Sequence, residues 1–178
     1  MALNETEFLS RAKKIKLLIL DVDGVMTNGQ IIWDSNRNEI KAFHVRDGHG
    51  IKMAERAGLT IAIITGRKSD VVDIRAKELG INEVYQGALE KVPAYRQILT
   101  RLGLEDEEAA YVGDDIVDIP VMSRVGLSFA VANAEPYVRD AAHCITTRNG
   151  GEGAVREVID RLLQARGDWE AVTAKYFS

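Results

Sequence analysis

One cysteine, Cys144, stands in 178 residues, so no internal disulfide framework can form, and a reducing compartment suits the chain. Its setting, AAHCIT, is a short apolar run in which a small buried side chain is expected. No apolar run approaches the ~20 residues that span a bilayer, and no signal-peptide pattern is visible. A cytoplasmic protein with no membrane partner is therefore the expectation. An excess of cations is also missing. With 23 Lys and Arg against 27 Asp and Glu, the net charge is −4. That gives no general attraction to nucleic acid, and an anionic substrate has to be captured by local groups. Internal repeats, low-complexity segments and linker-like stretches are absent, and residues 1–178 read as one domain.

What is present is an alternation of short apolar runs and amphipathic stretches. Asn4 and Glu7 carry a capping-box signal for a short helix. KLLILD is apolar but too short for a helix, which predicts a strand buried on both faces. A helix ending at Gly58 follows, then the strand TIAIIT (Thr60–Thr65), a helix capped by Ser69 and stopped by Gly80, and the strand EVYQG. The helix KVPAYRQILTRLG tolerates Pro93 only near its first turn. AAYVGDD, VGLSFAV and HCIT read as three more strands before a last helix that starts near Gly153. The pattern predicts a doubly wound, mostly parallel α/β sheet of Rossmann-like type.

One piece breaks the alternation. GQIIWDSNRNEIKAFHV, about residues 29–45, reads as a β-hairpin inserted after the first strand. Ile31, Trp33, Ile40, Ala42 and Phe43 place apolar groups on both of its faces. A lone hairpin cannot bury two faces, so packing against copies of itself in a homo-oligomer is expected. Folding back onto its own domain is the plainer alternative.

Ligands of open parallel sheets bind at the carboxyl ends of the strands, and the unusual polar residues gather there. Strand one ends in Asp21-Val22-Asp23-Gly24 and strand two in Thr65-Gly66-Arg67. Lys91 opens the helix after strand three. Strand four ends in Gly113-Asp114-Asp115, with Asp118 shortly after. Adjacent unpaired carboxylates in a buried place cost several kcal/mol, and a hard divalent cation such as Mg²⁺ makes the arrangement tolerable. Asp21, Asp114 and the backbone carbonyl of Asp23 are its candidate ligands, with Asp115 and Asp118 positioning the metal and its waters. Asp21 then becomes a candidate nucleophile toward phosphorus, and Asp23 a general acid and base. Thr65 and Lys91 are candidates to bind the transferring phosphoryl group.

DVDG, the Thr of IITGR, Lys91 and GDDIVD resemble, in order, the four signature motifs of the haloacid dehalogenase-like phosphohydrolases. DVDGVMTNG, FHVRDGHG and RNGGEGAVREV further resemble the branch of that family acting on 3-deoxy-D-manno-octulosonate 8-phosphate (KDO 8-phosphate), over nearly the whole chain. The resemblance implies a haloacid dehalogenase-type fold and a Mg²⁺-dependent, tetrameric, capless phosphatase of an acidic sugar phosphate in lipopolysaccharide synthesis. It also implies that the segment Arg46-Asp47-Gly48 and the C-terminal tail complete a neighbour's site; read from its residues, the tail, about residues 167–178, is either a docked helix or a segment folding over a neighbouring site. The spacing between strands independently leaves no room for a mobile cap domain.

The remaining polar residues are ambiguous in the sequence. Gly66 and Arg67 border the rim and are candidate substrate contacts, although Arg67 could be a plain surface residue. Arg148, beside Gly150, Gly151 and Gly153, reads as a flexible loop or, by the resemblance, as a grip on the substrate. His44 reads as a packed or interface residue in the hairpin's second strand, and Asp118 could be an exposed helix acid. A sialic-acid-type nonulosonate 9-phosphate is the competing substrate, because nothing in the sequence measures chain length. A phospho-receiver domain would carry its acidic pair on the first strand and its phosphorylated Asp on the third, which is not the order here. An oligomeric scaffold would have no physical need for the acidic rim.

Overall fold

In the computed structural model, which describes residues 3–177, the run KLLILD becomes β1 (Leu17–Leu20), every residue of it fully buried. The other strands are β2 (Ile32–Trp33), β3 (Glu39–Ile40), β4 (Thr60–Ile64), β5 (Glu83–Tyr85), β6 (Ala109–Gly113), β7 (Leu127–Ala130) and β8 (Cys144–Ile145). Six of them form one sheet in the order β5-β4-β1-β6-β7-β8, with every neighbouring pair parallel. The sheet is thus wholly parallel, and the antiparallel pairing is confined to β2 and β3 among the described residues.

Its helices are α1 (Glu5–Ala12), α2 (Val45–Arg56), α3 (Asp70–Leu79), α4 (Lys91–Leu102), α5 (Ile119–Met122), α6 (Pro136–Ala141), α7 (Ala154–Arg166) and α8 (Trp169–Thr173). The capping box expected at Asn4 is formed, with Glu7 answering the cap. α7 packs on α1 and α2, and α4 packs on α5, so the sheet is covered on both faces as its apolar strands require. From β1 the chain runs outward to β4 and β5, then crosses back to β6 and continues to β7 and β8. The reversal falls between β1 and β6, and open α/β sheets bind ligands at the carboxyl ends of the strands flanking such a point. Asp21 follows one strand and Asp114 the other.

The inserted hairpin is shorter than its sequence suggests. Its ladder holds two residues on each side, pairing Ile32 with Ile40 and Trp33 with Glu39. Residues 41–44 leave it, and His44 is the N-cap of α2 instead of a strand residue. Phe43 packs on the core and under Arg75, 5.6 Å from its ring centre, whereas Ile31, Ile32, Trp33 and Ile40 stay exposed, at 61%, 39%, 57% and 47%. Four large apolar side chains on one small element exceed the scatter normal for a surface. The tail after Gly167 docks on its own chain: Val172 and Thr173 are buried, and the Tyr176 hydroxyl meets His49 Nε2 at 3.0 Å.

Candidate active site

Asp21 leaves β1 buried, at 6% exposure. Its Oδ1 accepts the N–H of Val22 at 2.7 Å, and its Oδ2 faces Lys91 Nζ at 2.9 Å. Gly24 then turns the chain with a φ of +97°, a conformation that L side chains rarely adopt. A Cβ there would also lie 2.0 Å from Asp114 Oδ2. Glycine is required twice over, because the carboxylate of the next motif presses against this turn.

Asp114, arriving from β6, brings a second carboxylate, and Asp118 a third. One oxygen of each of Asp21, Asp114 and Asp118 lies within 4.8 Å of the others. The three are not equivalent. Asp118 is fully buried, not the exposed helix acid its position allowed, and its oxygens are saturated. Oδ1 accepts from Lys91 Nζ at 2.6 Å and from the Tyr111 hydroxyl at 2.7 Å, and Oδ2 accepts from the N–H groups of Asp114 and Asp115 at 2.9 and 3.1 Å. It fastens Lys91 and the loop. Asp114 Oδ1, by contrast, is buried with no hydrogen-bond partner. A buried, unpartnered carboxylate oxygen costs free energy unless it meets a proton or a cation.

The electrostatics agree. Burial pushes the Asp21 carboxyl up to about 6, with Asp118 adding to the rise and Lys91 opposing it. Burial pushes Asp114 up to about 8, helped by Asp21 and Asp118. Burial alone would lower Lys91, but the carboxylates of Asp21 and Asp118 outweigh it and hold the ammonium above its usual value. The oxygen-only set of Asp21 and Asp114 suits a hard divalent cation.

A pH dependence follows for the metal-free protein. The folded state holds protons on Asp21 and Asp114 that the unfolded chain releases near pH 4. Stability is therefore fully present below about pH 4 and is lost as pH rises through about 6 and about 8. Thermal melts in EDTA should show this decline between pH 4 and 8. Added Mg²⁺ should raise the melting temperature more at pH 8 than at pH 6, because protons compete for the same oxygens. A shift that does not depend on pH would show that the cation binds elsewhere.

The other sequence candidates divide. Thr65 is buried at the end of β4, and its carbonyl accepts from Ala88 N–H at 3.0 Å, so the turn through Gly66 is pinned. The Asp23 carboxylate does not join the three acids; it pairs with Lys41, and its Oδ2 lies 3.8 Å from Arg67 Nη1. Asp115, expected to help position a metal and its waters, lies beside Asp114 on the same loop. It is exposed and caps the short turn Ile116–Asp118, with Oδ1 accepting from Ile116 N–H at 2.7 Å. Ser69 is an N-cap by backbone position, but its hydroxyl donates to Glu39 instead of closing the helix.

Arg46, Asp47 and Gly48 lie in the first turn of α2. Asp47 is buried, and its Oδ1 accepts the N–H of Arg156 at 2.8 Å, so it caps the start of α7 within this chain. Arg46 and Arg148 are exposed and form no ion pair with the site acids among the described residues. The loop carrying Arg148 nonetheless meets the site's first turn, since a Cβ on Gly150 would lie 1.6 Å from the carbonyl oxygen of Gly24. Sequence reasoning missed Tyr111, Glu39 and Lys41. Tyr111 carried a readable signal, a phenol in a buried strand whose hydroxyl must find a partner. Glu39 and Lys41 carried a weaker one, two opposite charges two apart on an otherwise apolar strand and so on one face.

A buried carboxylate at the end of the first strand, a lysine behind it and an acidic loop on the adjacent strand define a phosphohydrolase-type site. The model for haloacid dehalogenase-like hydrolases matches residues 68–159, just over half of the chain. A 3-deoxy-D-manno-octulosonate 8-phosphate phosphatase from Yersinia pestis is 47% identical over 167 residues, covering 94% of this chain and 89% of that one. Its counterpart in Escherichia coli K12 is 49% identical over 161 residues, covering 90% and 86%. A crystal structure of the Moraxella catarrhalis phosphatase of that name, in complex with magnesium, phosphate and KDO, superposes with a TM-score of 0.95 at 42% identity, covering 97% of this chain and 99% of that one. The chain belongs to the haloacid dehalogenase-like hydrolases. It is similar over nearly its full length to family members named as KDO 8-phosphate phosphatases.

Proposed function

We propose that this protein is a Mg²⁺-dependent phosphatase that hydrolyses KDO 8-phosphate to KDO and inorganic phosphate, a step of lipopolysaccharide synthesis. The observation that carries the chemistry is the pairing of Asp21 with Lys91 beside the unpartnered oxygen of Asp114. The substrate rests on the relatives' names and on the full-length similarity to them. Asp21, Asp114 and the backbone carbonyl of Asp23 would hold the cation. Its positive charge offsets the repulsion between a carboxylate and a phosphate dianion, roughly 4 kcal/mol per pair of unit charges at 4 Å in a partly shielded site.

The chain's own residues then divide the work. An Asp21 carboxylate oxygen forms a bond to phosphorus as the ester P–O bond breaks, and the departing sugar oxygen takes its proton from Asp23. In the second step Asp23 accepts a proton from water, the water oxygen bonds to phosphorus, and the Asp21–phosphorus bond breaks to release phosphate. Lys91 draws charge from the phosphoryl oxygens while keeping Asp21 ionised. Thr65 and the turn through Gly66 supply donors to the same group. Phosphate release from KDO 8-phosphate, compared with a panel that includes a sialic-acid 9-phosphate, tests the reading. Preference for the eight-carbon ester, lost in EDTA, supports it; preference for the nine-carbon ester keeps the chemistry and replaces the substrate.

The exposed hairpin side chains support the second part of the reading, a homo-oligomer, tetrameric by family likeness, in which the exposed Arg46 and Arg148 reach a neighbour's substrate while the buried segment Asp47-Gly48 fixes the turn that carries Arg46. Burying a side chain of this size fully is worth about 1.5–3 kcal/mol, and Ile31, Ile32, Trp33 and Ile40 are all exposed. Ile32→Asp should dissociate the assembly and lower kcat/KM about 10²-fold, the scale for a misplaced site. Sedimentation with parallel kinetics checks this, and a fully active monomeric variant would remove the shared site.

A further inference from the structure

Lys41 has no place in the chemistry so far, yet its side chain is only 1% exposed. Its ammonium donates to Asp23 Oδ1 and lies 3.5 Å from Glu39 Oε1. Glu39 in turn accepts from Arg67 Nη2 at 2.8 Å and from the Ser69 hydroxyl. Arg67 Nη1 lies 3.8 Å from Asp23 Oδ2. Each oxygen of Asp23 therefore faces a cation, and both cations are held by one carboxylate of the hairpin. Burial pushes Glu39 up, but the Ser69 hydroxyl, Lys41 and Arg67 outweigh it and keep the carboxyl below its usual range. The Lys41 ammonium is taken up by Asp23 and Glu39, so its effect on turnover passes through the Asp23 carboxyl.

We propose that the hairpin positions the acid/base group within a single chain: Lys41 fixes the Asp23 carboxyl, and Glu39 fixes Lys41, Arg67 and Ser69. The proposal rests on the reading of Asp23 as the acid and base. Without these contacts a carboxyl on a loop can turn about two side-chain bonds, and proton transfer needs hydrogen-bond reach of the departing oxygen. Glu39 and Lys41 point to the site, while Ile40 between them and its cross-strand partner Ile32 lie on the opposite face.

Lys41→Met, Lys41→Arg and Glu39→Gln, measured on a sugar phosphate and on p-nitrophenyl phosphate, test this. A sugar alkoxide must be protonated as it leaves, whereas nitrophenolate leaves unprotonated. Lys41→Met should therefore lose about 10²-fold in kcat/KM on the sugar phosphate, the contribution typical of a general acid, and little on the aryl ester. Lys41→Arg should recover most of the loss, and Glu39→Gln should show the same selectivity. The last two variants carry the test where Lys41→Met fails to fold, as judged by circular dichroism. Equal losses on both substrates, or none on either, overturn the proposal. Wild-type protein inactive on both substrates overturns the functional reading and this proposal with it.

Discussion

Asp21→Asn is expected to lower phosphate release by a factor on the order of 10⁴ or more, the scale for removing a covalent nucleophile, with little loss of fold. The amide keeps the side-chain volume at a site that is 6% exposed, and its oxygen can still accept the N–H of Val22. What it cannot do is attack phosphorus as an anion. Stability should hold because the carboxylate is itself unfavourably placed, with burial pushing it up to about 6. Removing it also removes repulsion from Asp114 and Asp118. Lys91 keeps one anion, Asp118 at 2.6 Å. Phosphate-release assays on enzyme with an unchanged melting temperature check both halves, and retained turnover would transfer the nucleophile role to another group.

Lys91→Met should have the opposite profile, damaging stability and turnover together. Its ammonium, 1% exposed, touches Asp21 at 2.9 Å, Asp118 at 2.6 Å and the Tyr111 hydroxyl at 3.2 Å. Breaking a buried pair by removing one partner costs about 3–5 kcal/mol, which corresponds to a drop of roughly 10 °C in melting temperature for a domain of this size. The sign with pH is fixed by what remains, three carboxylates with no cation among them. At low pH Asp21 and Asp114 take up protons and the loss is small; as pH rises they must ionise without the cation that favoured it, and the loss grows. Melts in EDTA from pH 5 to 9 read this directly, and Mg²⁺ should restore part of the stability but not the turnover. A variant as stable as wild type at pH 9 would mean that Lys91 does not balance the acidic cluster.

These effects differ because Asp21 and Lys91 relate differently to the fold. The strand places Asp21 whatever its charge. The position of Lys91 depends on the two anions beside it, so charge and packing cannot be separated there. Asp118 shows the same coupling from the other side. A position consistent with an exposed acid turns out to hold Lys91, Tyr111 and two backbone N–H groups at once.

The amino-acid sequence by itself determined the order of the strands along the chain, the burial of β1 and β4 on both faces and the rim to which Asp21, Thr65, Lys91 and Asp114 come. The reason is local: apolar runs too short for helices must be strands, and in a parallel sheet whatever follows a strand lies at one edge. The tertiary structure decided which polar groups meet. The pairing of Asp23 with Lys41, the burial of Asp118, the turning away of Asp115 and the capping of α7 by Asp47 all join residues whose separation no periodicity encodes. Asp47 and Arg156 are 109 positions apart, and Lys41 and Asp23 belong to elements related only by how a two-residue ladder leans on a loop. Hydrophobic patterning specifies faces, and faces build the sheet. Hydrogen bonds and ion pairs act over a few ångströms, so their partners are settled only once the chain has packed.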